Sequence, residues 1–97
     1  MLSWLDAGEA QKFGTALALF FMEKMPLEAN QNEGKFKAKA QQVLVKMAQQ
    51  AETFRRTNKL NAYKKAKLGN AFKWQLKDAG YDPVYVDELT EWLVLRL

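Results

Sequence analysis

Between residues 35 and 57 apolar side chains return every three or four positions: Phe36, Ala40, Val43, Leu44, Met47, Ala51 and Phe54. At helical periodicity they fall within an arc of about 100°, the pattern of a helix with one buried face. Such a helix needs a second apolar surface to cover it, and the flanking segments supply one in the same form. Phe13, Ala16, Leu17, Phe20, Phe21 and Lys24 recur at spacings of three and four, Leu68, Phe72, Leu76 and Ala79 do so again, and Tyr85, Val86, Leu89, Trp92, Leu93 and Leu97 make a wide face near the end. No alternating run longer than a few residues signals a strand, and no repeat occurs at solenoid periods. A length of 97 residues suits one small domain that buries a core without staples. The expected fold is all-α: a single-domain four-helix bundle spanning residues 1–97, mostly up-and-down, with helices at roughly residues 4–25, 35–57, 60–79 and 83–96.

Local punctuation supports these boundaries. Ser3 with Asp6, and Asp6 with Glu9, each place a capping oxygen three residues ahead of an acid, so the first helix starts at one or the other. Gly14 lies beside the first apolar stripe, where a neighbouring helix could approach closely. Pro26 ends that helix, and the polar stretch 26–34, closed by Gly34, reads as a connection within one domain. Asn58 or Asn61 caps the third helix. That helix either breaks at Gly69 and Asn70 or runs through to Ala79 at a cost of about 1 kcal/mol for the glycine. In the turn that follows, Gly80 suits the left-handed residue after a helix, Asp82 a cap and Pro83 a first turn, so the fourth helix folds back on the third.

Charge is the second constraint. Residues 35–77 hold twelve of the fifteen basic residues against one acid, Glu52, for a net +11, while residues 1–34 carry −3 and residues 78–97 carry −4. The whole-chain value of +4 conceals this segregation. Along the second helix Lys35, Lys39, Gln42, Lys46, Gln49 and Thr53 form a row of donors roughly 27 Å long on one flank of the apolar arc. On the third helix Tyr63, Lys67, Asn70 and Trp74 line up at i, i+4, i+7 and i+11, away from Phe72 and Leu76. Interleaved cations and rings of this kind can follow a phosphate backbone and stack on its bases. The residues expected to contact a polyanion are Lys35, Lys39, Lys46, Tyr63, Lys64, Lys67, Lys73 and Trp74. The plainer alternative is that these lysines solvate two helices and that acids of the first and last helices lie across from some of them.

The composition excludes more chemistry than it suggests. Without cysteine there is no disulfide or thiolate, and without histidine the commonest metal ligand and the usual neutral-pH acid/base group are missing. No catalytic residue, metal ligand or cofactor is expected, and the chain is not expected to be an enzyme. Asp78, Asp82, Asp87, Glu88 and Glu91 occupy one helix face and a turn with no second acidic helix to converge on, so a metal site is not expected there. The same acids would repel a phosphate lattice, which argues against a DNA-binding helix-turn-helix around Gly80. The longest apolar run, residues 16–22, is far below the roughly 20 residues of a membrane span. No disulfide or leader-like start is present, and the expected location is the cytoplasm. Leu19, Met22, Val94 and Leu95 fall outside the apolar faces and mark an expected self-association surface. The sequence thus points to a non-catalytic binding or interaction protein whose partner is another protein or a second copy of itself, with RNA or single-stranded DNA as the alternative.

Overall fold

The computed structural model describes residues 6–27 and 33–97, and of Glu33 and Lys35 the backbone alone. Four helices follow one another: α1, Gly8–Lys24; α2, Glu33–Thr57; α3, Ala62–Asp78; and α4, Pro83–Val94. No strand occurs among the described residues, and the helices pack as the four-helix bundle that the periodicity implies. Contacts at the two ends give the directions. Gly14 of α1 lies on Leu68 of α3, and the Tyr81 hydroxyl, just after α3, donates to the Met25 carbonyl oxygen at 2.7 Å, just after α1; α1 and α3 therefore run the same way. Phe13 near the start of α1 stacks on Phe54 near the end of α2, with ring centroids 4.2 Å apart and planes 6° from parallel. Tyr85 at the start of α4 meets both Phe21 and Phe36, at 6.2 and 6.1 Å. Helices α2 and α4 thus run antiparallel to α1 and α3, up and down in turn.

The described helix α1 begins at Gly8, later than the start near residue 4 read from the sequence. Residues 6 and 7 are non-helical, and Ser3 lies outside the described residues. Asp6 accepts from the Gly8 amide at 3.0 Å, one residue ahead of Ala7, which takes the cap position itself. At the start of α3 Asn61 caps by accepting from the Lys64 amide at 2.8 Å, while Asn58 closes α2 by donating to the Phe54 carbonyl at 3.1 Å. Asp82 caps α4 through the Tyr85 amide at 2.9 Å, ahead of Pro83 in the first turn. Between α3 and α4 the Gly80 amide bonds to Lys77 O at 3.0 Å and the Tyr81 amide to Leu76 O at 3.2 Å. This Schellman arrangement needs a left-handed residue, and Gly80 supplies it with φ +100°.

The bundle interior is built on the α1–α3 contact, the most extensive between helices. Here the structure rotates the expected face of α1. Ala16 is exposed and Phe13 and Phe20 only half-buried; the buried set is Ala10, Gly14, Leu17, Ala18 and Phe21, continued by Met25. The small residues Ala10, Gly14 and Ala18 let α3 approach until its Leu68 carbonyl occupies the space a Gly14 side chain would take. Phe13 and Phe20 are left on the flank, where Phe13 meets α2. Helix α3 is continuous through Gly69, and the glycine makes room for α4: a β-carbon there would lie 2.9 Å from Val94 Cγ2. Leu68, Phe72 and Leu76 complete the core with Val43, Met47, Val86 and Leu93, all within 2% of full burial.

Candidate functional site

Helix α3 turns Leu68, Phe72 and Leu76 inward, and at 100° per residue Tyr63, Lys67, Asn70 and Trp74 come out about half a turn away. The structure leaves this row open to solvent: Tyr63 is 43% and Trp74 55% exposed, large values for aromatic rings on a helix packed at its other face. Each ring carries an ammonium group. Lys67 Nζ lies 5.5 Å from the Tyr63 centroid and Lys77 Nζ 5.4 Å from that of Trp74, both within cation–π range. Lys77 was not singled out in the sequence, although it continues the row at i+14 from Tyr63 and was visible as its fifth member. Asp78, at i+4 from Trp74, is exposed at the C-terminal end of the same face.

One carboxylate reaches it from the neighbouring helix. Asp87 of α4 accepts from Lys77 Nζ at 2.8 Å and lies 4.0 Å from Lys73 Nζ, so two lysines of α3 share one acid. The hydrogen bond from Lys77, reinforced by the charges of Lys77 and Lys73, holds the Asp87 carboxyl below the ordinary aspartate range. Lys77 therefore faces Trp74 and Asp87 at once.

The remaining candidate residues are distributed rather than gathered. Lys39 and Lys46 of α2 are exposed and form no ion pair among the described residues, and the Lys35 side chain lies outside the described residues. Their flank borders the open recess lined by Phe13, Gln49, Gln50, Thr53, Phe54 and Thr57. The α3 row points directly away from the interior that α2 covers, so the ladder and the row do not form one surface. Lys64 is half-buried and lines a recess of about 200 Å³ with Asp6 and Glu9, turned toward the start of α1 and not toward Tyr63. At the end of α2, Arg55 and Arg56 share Glu52 at 3.9 and 2.9 Å.

The four residues expected to mediate self-association are likewise separated. Met22 is half-buried against the core and Val94 is half-buried on Gly69. Leu19 and Leu95 are exposed, 49% and 77%. They sit at different heights, Leu19 toward the end of α1 that meets the start of α4, and Leu95 beyond the far end of α4. Among the described residues no group of three or more potential metal ligands converges, and no helix is long and apolar enough to cross a membrane. Compared with known proteins, the chain matches no family model, no curated protein and no solved structure, so the chemistry open to the α3 face follows from its own geometry.

Proposed function

We propose that this protein is a non-catalytic binding module whose outer α3 face takes single-stranded nucleic acid. The observation that carries the reading is the pairing of two solvent-exposed rings, Tyr63 and Trp74, with lysine amines along one face of α3. A planar base stacks on such a ring with about 1–3 kcal/mol, and phosphates between bases meet the cations. The two rings stand about 16 Å apart along the helix, which suits an extended strand better than one flat apolar partner. Duplex DNA keeps its bases stacked on one another and offers the rings nothing to stack on.

The test is titration of a fluorescent 15-residue oligo(dT) or oligo(U) at low salt. Binding should weaken with a log–log salt slope of about −0.7 for each phosphate neutralised. Trp74→Ala and Tyr63→Ala should each reduce affinity by about fivefold or more, the low end of a lost stack, and the matching duplex should bind more weakly than the single strand. No oligonucleotide binding at about 50 mM salt overturns the reading and leaves a protein partner as the use for the exposed rings.

A further inference from the structure

The geometry points to Asp87 as a built-in competitor for the polyanion on the α3 face. Its carboxylate occupies the lysines that a phosphate would need. The inference rests on the single-strand reading above and adds how that site is restrained. Lys73 and Lys77 are the two cations nearest Trp74 along α3, and both converge on Asp87, at 4.0 and 2.8 Å. The Lys77 amine, held by that carboxylate, stands 5.4 Å from the Trp74 centroid, over the ring on which a base would stack. A strand arriving at Trp74 must therefore displace an amine from the ring, detach it from a carboxylate and approach the carboxylate's own negative charge. All three effects act in one direction. Lys67, over Tyr63, has no such partner among the described residues, so the restraint belongs to the Trp74 end of the row alone.

The arrangement also sets what kind of anion can enter. One phosphate would exchange a carboxylate for another anion with little net gain, whereas a chain of phosphates anchored at Lys67 meets Lys73 and Lys77 at high effective concentration. The site should thus discriminate against mononucleotides and favour oligonucleotides long enough to reach both rings. Because the pair is more than half exposed on the Asp87 side, its strength is that of a surface ion pair, and the competition should be readily reversible.

The test measures the affinity of the full chain for the same 15-residue oligo(U) in wild type, Asp87→Asn, Glu88→Gln and Asp87→Asn combined with Lys73→Gln and Lys77→Gln. Far-UV circular dichroism checks that each is folded. Asp87→Asn should bind roughly two- to fivefold more tightly at low salt, the range set by an exposed ion pair. Its salt slope should steepen by about 0.7, one further phosphate engaged. Glu88→Gln, which removes the same charge from the adjacent position on α4 but forms no ion pair among the described residues, should change affinity much less, and the gain should vanish when both lysines are absent. Equal or weaker binding by Asp87→Asn beside a wild type that binds overturns the competitor role and leaves the single-strand reading standing, as does an equal gain from Glu88→Gln. Failure of both wild type and Asp87→Asn to bind at low salt overturns both. Binding by Asp87→Asn beside a wild type that does not bind at about 50 mM salt overturns the single-strand reading of the native chain and exceeds what an exposed ion pair can restrain.

Discussion

Gly14→Ala tests the contact on which the bundle is built. A β-carbon at position 14 would collide with the Leu68 carbonyl oxygen and lie 3.1 Å from the Leu68 carbonyl carbon and 3.2 Å from Ala71 Cβ. Forcing a methyl group into a packed interface costs about 1–3 kcal/mol. The upper end applies here, because the obstacle is backbone in the middle of a helix and cannot rotate aside. Alanine returns about 1 kcal/mol through its better helix propensity. The expected net loss is about 2 kcal/mol, a large part of the roughly 5–15 kcal/mol that holds a domain of this size together. In thermal unfolding that corresponds to a fall in Tm of about 8–16 °C. Gly69→Ala is the internal comparison. Its new methyl would meet Val94 Cγ2 at 2.9 Å and Thr90 Cγ2 at 3.6 Å, both side-chain atoms, and Val94 is half-buried and able to turn. The gain in propensity and the cost of repacking should nearly cancel, leaving Gly69→Ala within about 1 kcal/mol of wild type. Urea denaturation followed by circular dichroism gives both values. A Gly14→Ala protein as stable as wild type, or a Gly69→Ala protein harmed as much as Gly14→Ala, would refute the reasoning.

Three further outcomes are expected. Asp82→Ala should cost about 1 kcal/mol in urea denaturation by leaving the Tyr85 amide without its cap, whereas Asp82→Asn should cost much less. Thr90→Val should raise stability by about 1 kcal/mol, because the Thr90 hydroxyl is buried without a hydrogen-bond partner among the described residues and valine fills the same space; lowered stability would mean that the hydroxyl is satisfied in solution. Burial, and then the neighbouring Glu88 charge, push the Tyr85 hydroxyl above the ordinary tyrosine value of 10.0. The folded state therefore holds that proton more tightly than the unfolded chain, so this contribution is complete below pH 10 and is lost as pH rises through the raised value. Tyr85→Phe should shrink the alkaline fall in the urea midpoint; an unchanged pH profile would remove Tyr85 as its source.

The helix count and the α3–α4 turn were legible because local rules carry them. Gly80, Asp82 and Pro83 act within a few residues of themselves, and the apolar arc of α2 is wide enough to survive any packing partner. The face of α1 was not, since counting large side chains favours Phe13 and Phe20, whereas the buried face is chosen by how closely α3 can approach Ala10, Gly14 and Ala18. The same division runs through the candidate site. The spacing of Tyr63, Lys67, Asn70 and Trp74 put them on one line away from Phe72 and Leu76, and the structure leaves Tyr63, Asn70 and Trp74 exposed along it with Lys67 half-buried. The pairing of Lys73 and Lys77 with Asp87 depends on the antiparallel register of α3 and α4, and the turning of Lys64 toward Asp6 and Glu9 depends on where α1 begins. Neither is written in spacing alone.

The parallel course of α1 and α3 has a consequence for how the chain is made. Residues that meet at the lower rim, Met25 and Tyr81, are separated by 56 positions, and the groove around Gly14 stays empty until Leu68 has been synthesised. A nascent polypeptide ending at Thr57 exposes two amphipathic helices whose mutual contact, which includes the Phe13–Phe54 stack, is far smaller than that between α1 and α3. Productive collapse should therefore wait for the second half to leave the ribosome, which at about 5–20 residues per second leaves an interval of seconds in which a holding chaperone would find apolar surface to grip.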